Sequence, residues 1–426
     1  MEKLMQYVWQ HRLWRPGPMS TTDGRRLQVL DPGLLNNDAG PDFFNAKVSI
    51  DGHTWAGNVE IHVHASDWYR HGHDHDRAYD SVILHVVGHD DTLVKRPDGH
   101  VIPQFAMPCT PDFNRHYRAL VDNAATELPC ATMIASLDRL HILDWLDSLA
   151  HQRIYDKTDR ILATLDRNRG DWEETCYVTI ARALGFGTNS DPFERLASGL
   201  PLKFMGKHSN SPLAVEALLF GRSGLLDDAP SSPYADRLRN EYAFLAHKFS
   251  LVPTSPLGWR MARMRPPNFP HRRIAFLASL VTGGFKMMES LLGVREPEDA
   301  RRLFDRPLTG YWRRHYSFSP VDAGKDVSAM SRQSINVLTI NAVVPLMYAY
   351  GLYSGDIGLR QRSVELLQTL PPEKNSIVEL FNRAGIPAED AFTTQALIQL
   401  RRTYCETRKC LYCRIGHRML AARATR

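Results

Sequence analysis

Two acids and a run of histidines carry the densest chemistry near the N-terminus. Asp42, in Gly40-Pro41-Asp42-Phe43, lies eighteen residues before Glu60, in Val59-Glu60-Ile61-His62-Val63-His64, and the turn signal Asp51-Gly52 falls between them. Period-2 alternation puts Val59, Ile61 and Val63 on one strand face and Glu60, His62 and His64 on the other. Antiparallel pairing through the turn brings Asp42 beside Glu60. Two adjacent carboxylates are hard oxygen ligands for a divalent cation such as Mg²⁺ or Mn²⁺. His71, His73, Asp74, His75 and Asp76 follow directly. Of these, His71 and His73 read as added ligands or proton shuttles at the site's edge, suited to zinc as well as manganese, and His75 and Asp74 as surface. His85, inside the apolar run from Val82 to Val87, reads as a core histidine.

Three cysteines, Cys405, Cys410 and Cys413, form a second cluster near the C-terminus. Thiols this close in a reducing compartment point to a zinc or iron–sulfur site, and such a site needs a fourth ligand. Cys130 is the favoured choice; Cys109 and His417 are the alternatives. Cys176 sits in an apolar helical stripe and reads as core. Basic residues gather at Arg260, Arg263, Arg265, Asn268, Arg272 and Arg273, at the mouth of an expected helix, where guanidinium groups and free backbone amides would favour phosphate. Arg313 and Arg314, among Tyr311, Trp312 and Tyr316, offer either base stacking or an ordinary aromatic core with paired arginines.

These residues need elements to position them. The chain has 426 residues, 43% hydrophobic and 23% charged, which suits a globular protein of two domains and argues against disorder or a fibre. A helix over 2–14, a strand over 27–30, hairpin arms over 46–50 and 55–65, a polar connection over 66–80 broken by Gly72, and a strand over 82–87 predict a mixed α/β domain over 1–127. Proline-marked loops from Pro97 to Pro111 close it. From about residue 135 the period is helical: one long helix through Leu146, Leu149, Ile154, Ile161 and Leu165, a second through Trp172, Cys176, Ile180 and Leu184, and others at 213–220, 236–248, 273–292, 332–352, 359–370, 375–384 and 389–404. The region 128–426 is thus expected to be all-α and to end in the cysteine motif.

Charge is uneven. Residues 1–127 hold 12 Lys/Arg against 17 Asp/Glu, and the rest hold 40 against 30, for a net +5 overall. An acidic metal-holding domain beside a basic one suits a polyanionic substrate such as nucleic acid. The apolar run Ile335 to Tyr353 is interrupted by Asn336, Asn341 and Pro345, so a buried helix pair fits it better than a membrane span. Glu2, Lys3, His11 and Arg12 leave no room for a signal peptide, which predicts a cytoplasmic protein.

The pairing of Pro41-Asp42 with Glu60-Ile61-His62 resembles the PD-(D/E)XK nuclease superfamily. The resemblance implies Mg²⁺ or Mn²⁺ held by Asp42, Glu60 and the carbonyl of Ile61, with His62 standing where the family has lysine and with His64, His71 or His73 assisting. A cysteine site closed by Cys130 is similar to that of nucleases stapled by an iron–sulfur cluster. Over its length the chain looks like a bacterial family of unknown function, through the blocks GPDFFNA (40–46), GNVEIHVHASDW (57–68), YDSVILHVV (79–87), RPPNFPHRRIA (265–275) and YCETRKCLYCRIG (404–416). Three functions are in play: a metal-dependent nuclease-like phosphodiesterase, a degenerate nuclease-fold scaffold that binds nucleic acid or protein without turnover, and a zinc hydrolase built on histidine and aspartate.

Overall fold

The computed structural model describes residues 1–14, 17–36, 38–96, 98–108, 127–252 and 257–421. Two compact units divide the chain. The first comprises Met1–Trp145, Arg383–Ile386 and the segment from Leu400 onward; the second comprises Leu146–Asn382 and Pro387–Gln399. The boundary expected after residue 127 therefore falls later, and the cysteine tail expected in the helical domain belongs to the first unit. Contacts within that unit account for this. The Arg401 guanidinium donates to the Glu127 carbonyl, Tyr404 meets the Trp145 ring edge-on at 5.3 Å, and Arg414 pairs with Asp144 at 2.7 Å while covering the Trp145 ring at 4.8 Å.

In the first unit, helix α1 (Glu2–His11) precedes strands β1 (Met19–Ser20), β2 (Arg26–Asp31), β3 (Leu34–Leu35), β4 (Phe43–Ile50), β5 (His53–His64), β6 (Val82–His89) and β7 (Gln104–Ala106). They form one mixed sheet in the order β1-β2-β4-β5-β6-β7, with β3 paired to β4. The turn at Asp51-Gly52, with φ of 49° and 84°, joins β4 and β5 as expected of a tight hairpin. Helix α2 (Asp67–Arg70) and two 3₁₀ turns, His73–His75 and Arg77–Tyr79, carry the chain over to β6, which runs parallel to β5. Both faces of β5 are covered where the chemistry lies, since Val59, Glu60, Ile61 and His62 are all buried.

One irregularity sets the register. Near the hairpin turn Ile50 pairs with His53 and Ala46 with Gly57, but farther along Phe43 pairs with Val59, so β4 carries one extra residue between Phe43 and Ala46. Asn45 takes it up at φ 55°, the left-handed region that asparagine tolerates better than most residues. Phe44 and Asn45 both face solvent, between buried Phe43 and Ala46. Without the bulge Asp42 would stand opposite Ile61; with it, Asp42 stands opposite Glu60.

The second unit is helical. The long helix α3 (Arg139–Arg167) and α4 (Trp172–Leu184) follow the predicted stripes, and Leu149, Ile154, Ile161, Leu165, Cys176 and Ile180 are buried. The Asp171 carboxylate caps α4 by accepting the Glu174 amide at 3.0 Å. The helix expected over 273–292 is two: α5 (Pro270–Val281) and a short turn, Met288–Leu292, parted by Gly283 and Gly284 at left-handed φ of 87° and 94°. The run expected as a helix pair is one continuous helical stretch, Arg332–Ser354, that takes up Asn341 in a π turn at Thr339–Val343. It is long and apolar enough to cross a membrane, but 72% of its most apolar window is buried within the fold, as in a core helix.

Candidate metal centre

Asp42 and Glu60 converge, and backbone amides lock them together. The Asp42 amide donates to Glu60 Oε2 at 3.0 Å, and the Ile61 amide donates to Asp42 Oδ2 at 3.0 Å. Gln6, on α1, donates its side-chain amide to Asp42 Oδ1 at 2.8 Å. Burial raises the proton affinity of both carboxyls well above the ordinary range, and the Glu60 charge raises that of Asp42 further.

Three histidines face this pair. His62 comes from β5, two residues past Glu60 and on the same face. His71 and His73 come from the crossover, where Gly72 at φ 74° ends α2 and turns the chain so that both imidazoles point back at the strand. One ring nitrogen from each of His62, His71 and His73 lies within 4.8 Å of the other two. His62 Nε2 is 3.1 Å from His71 Nδ1 and 3.5 Å from Glu60 Oε1, and His73 Nε2 is 3.4 Å from the same Glu60 oxygen. Zinc bound at about 2.0–2.1 Å in a tetrahedron separates its ligand atoms by about 3.3 Å. These are three of the six edges of a four-ligand set, and they fall within a few tenths of an ångström of that figure; the group whose ligand atoms all lie within 4.8 Å of one another holds the three histidines without Glu60. Glu60, His62 and His73 are 5%, 1% and 9% exposed, while His71 lies at the solvent rim, so the group is enclosed but open on one side.

Two of the imidazoles, His62 and His73, are held in the neutral state that metal binding requires. Burial first, then the neighbouring histidines, push His62 down to about 2, and burial also lowers His73. Both stay neutral at physiological pH. A neutral His62 does not carry the fixed positive charge that a lysine would have at this position, and its ring nitrogen is free to act as an acceptor. Behind it lies His85. Gln104, the cross-strand neighbour of His85, donates its NH₂ to Asp90 and to the Thr92 carbonyl, while its Oε1 and the His85 Nδ1 are both buried with no hydrogen-bond partner among the described residues. His85 Nε2 faces His62 Nδ1 at 2.8 Å, one of the two nitrogens donating and the other accepting. With the proton on His62 Nδ1, Nε2 presents its lone pair to the site, the arrangement that orients metal-binding histidines elsewhere. Tyr79 stacks on His73 at 3.8 Å and fixes the plane of that ring.

Not every expected residue joins. His64 shares the strand face but lies beyond the enclosed group, 3.8 Å from Asp91 and stacked on His89. His75 is exposed beside Asp74, and Asp76 caps the second 3₁₀ turn. The contact of His85 with His62, the place of Gln104 beside it, and the positioning by Gln6 and Tyr79 lie outside the sequence expectations. His85 was legible as a core histidine, but only the parallel register, which sets it opposite Glu60, reveals what it touches.

In the same unit Cys130, Cys405, Cys410 and Cys413, from distant parts of the sequence, lie near enough to influence one another's charge. Burial raises the Cys130 and Cys405 thiols most, and each is raised further by Cys410 and Cys413, which places the four in one electrostatic neighbourhood. The amides of Ile415 and Gly416 donate to the Cys413 sulfur, as they would to a thiolate. His417 turns elsewhere and shares a short hydrogen bond with Tyr7. Cys109 lies outside the described residues.

In the second unit the expected nucleic-acid surface splits. Arg263 and Arg265 are exposed, whereas Arg272 and Arg273 are 6% and 4% exposed and Asn268 is spent accepting from Arg273 at 2.7 Å. The aromatic alternative resolves toward the core. Trp312 is buried, donates to the Tyr234 hydroxyl at 2.7 Å and stacks on Phe220, while Arg313 and Arg314 pair with Asp326 and Asp322.

Residues 2–376 match a family model described as "Protein of unknown function (DUF2851)". The chain belongs to that family. No curated protein and no solved structure matches the chain.

Proposed function

We propose that the first unit is a metal-dependent hydrolase in which Glu60, His62, His71 and His73 hold one divalent cation. The observation that carries this reading is the set of ligand separations of 3.1, 3.4 and 3.5 Å, close to the edge of a tetrahedral site. A set of three imidazoles and one carboxylate favours Zn²⁺ or Mn²⁺ over Mg²⁺, which prefers oxygen and octahedral geometry. The reading thus departs from a magnesium site built on Asp42, Glu60 and the Ile61 carbonyl. A cation here supplies Lewis-acid chemistry, polarising a scissile ester and easing deprotonation of the attacking water. Asp42 stands beside the ligands with a raised proton affinity and two hydrogen bonds that fix its orientation. It takes the water's proton as general base.

The substrate we favour is a phosphodiester in nucleic acid. The nuclease resemblance of Pro41-Asp42 and Glu60-Ile61-His62 and the basic excess of the later sequence support it, and the cytoplasm is the expected setting. The test is incubation with single- and double-stranded DNA and RNA across Mn²⁺, Zn²⁺ and Mg²⁺. Hydrolysis with Mn²⁺ or Zn²⁺, abolished by Glu60→Gln and by His62→Ala, is expected; cleavage unchanged by both variants, or none with any metal, refutes it. One observation favours the non-catalytic scaffold instead: both carboxylates are engaged in tying β4 to β5. On that reading metal raises stability and nucleic acid binds without turnover.

We further propose that Cys130, Cys405, Cys410 and Cys413 bind zinc or an iron–sulfur cluster as four thiolates, which would fasten the C-terminal segment to the residues around Cys130. Metal and acid-labile sulfide in anaerobically purified protein distinguish the two. Absence of iron, zinc and sulfide together, in protein whose thiols all react as free, removes the proposal.

A further inference from the structure

We infer that the second unit carries a separate binding site for a small phosphate-bearing anion, centred on Arg272 and Arg273 at the N-terminal turn of α5. Both arginines line a cavity of about 180 Å³ whose wall includes Ser328, Ser331, Ser334 and Tyr316. Two buried guanidinium groups side by side are costly without a counter-charge, and buried charges are normally paired. Here no carboxylate lies within ion-pair distance of either one, among the described residues. The nearest acid that influences Arg272, Asp326, is itself paired with Arg313 at 2.7 Å.

Their neutral contacts leave donors unspent. Arg272 gives one Nη1 hydrogen bond to the Trp312 carbonyl at 3.0 Å, and Arg273 uses Nη2 on Asn268 and Ser334 at 2.7 and 3.2 Å. Arg273 Nε is buried with no partner. Aromatic rings hold both groups in place, Phe186 lying 4.2 Å from the Arg273 guanidinium and Tyr316 lying 5.5 Å from that of Arg272. Phe269, which precedes the twelve-residue helix α5, offers no side-chain cap to its first amides, so the helix dipole also favours a negative ligand. Burial, with Arg272 adding to it, pushes Arg273 down to about 9, which an anion between the two groups would reverse.

Size narrows the ligand. Sites for drug-sized molecules occupy about 300–1,000 Å³, so this cavity suits a phosphate group with little attached rather than a stacked nucleotide. The hydroxyls of Ser328, Ser331 and Ser334 offer further donors to such an oxyanion. The ligand class is therefore inorganic phosphate or a small phosphate monoester, and the site stands whether or not the first unit is a hydrolase.

Calorimetric titration of the full chain with inorganic phosphate, with glycerol 3-phosphate and with a 5′-phosphorylated oligonucleotide tests this, against chloride at matched ionic strength. Saturable binding of phosphate or the monoester is expected, weakened at least tenfold by Arg273→Met. The same variant should melt no lower than wild type in phosphate-free buffer, because it removes an unpaired buried charge. Saturable binding of the oligonucleotide alone overturns the assignment to a small molecule. No saturable binding by the wild type, or equal binding by a folded Arg273→Met protein, overturns the site. Should that variant fail to fold, the wild-type titration still decides.

Discussion

Stripping the metal should give the first unit an unusual dependence of stability on pH. In metal-free protein the Glu60 carboxyl is pushed up to about 8, whereas an unfolded glutamate titrates near 4.3. Between those values the folded state holds a proton that the unfolded state has lost. Stability supplied by a raised group is complete below its unfolded pKa and disappears as pH climbs through its folded one. Histidines act in the opposite sense. His62, His73 and His85 are lowered by burial, so they raise stability with pH until unfolded histidine, half neutral near 6.5, has lost its proton about one unit higher. That histidine effect is common to wild type and Glu60→Gln, so the difference between the two isolates the carboxyl.

One proton of difference gives a slope of about 1.4 kcal/mol per pH unit, or about 2 kcal/mol from pH 6.5 to 8. For a unit of this size that lowers the melting temperature by roughly 4–8 °C. Scanning calorimetry on metal-free wild type, Glu60→Gln and the Mn²⁺- or Zn²⁺-loaded protein measures it. The fall should be steeper in the metal-free wild type than in Glu60→Gln, where only Asp42 is left to hold an extra proton, and should vanish with bound cation, which keeps the carboxylate ionised at every pH in the window. Equal slopes for metal-free wild type and Glu60→Gln would refute the reasoning that the buried pair holds the proton.

Other consequences follow from the same geometry. His85→Phe keeps the ring but removes the hydrogen-bond partner of His62 Nδ1, and competition with a chelator should show metal affinity reduced by about 10–100-fold with the fold intact. Asn45→Val keeps the chain length but resists the left-handed φ of 55° that the bulge needs, which favours regular pairing with Asp42 opposite Ile61; hydrolysis should fall while circular dichroism still reports the sheet. Gly416→Ala would set a Cβ 2.1 Å from the Cys410 carbonyl oxygen, so urea unfolding should show destabilisation of about 1–3 kcal/mol and any thiolate-bound metal should exchange faster.

How far the sequence reached can be argued residue by residue. The hairpin was legible because alternation from Val59 to His64 and the Asp51-Gly52 turn leave little choice of pairing, and the convergence of Asp42 with Glu60 followed. The reason for the convergence was not legible in full. It depends on Asn45 entering the left-handed region, and a single asparagine at a solvent-facing strand position is compatible with a regular strand as well. The roles of His71 and His73 were near to hand, since the chain must return over β5 to reach β6. Gln104 could not be found, because parallel register between β6 and β7 is set by tertiary packing and leaves no local pattern. The burial of Arg272 and Arg273 was hidden for a similar reason: periodicity says where α5 lies but not that its first turn is largely buried.

Crystals soaked in Mn²⁺ or Zn²⁺, with anomalous diffraction collected at the metal edge, address the proposed centre most directly. One peak about 2.0–2.2 Å from Glu60 Oε1, His62 Nε2, His71 Nδ1 and His73 Nε2 is the expected result. A fully occupied metal elsewhere with none among these four side chains, or one bound by Asp42 and Glu60 with the histidines turned away, would contradict it.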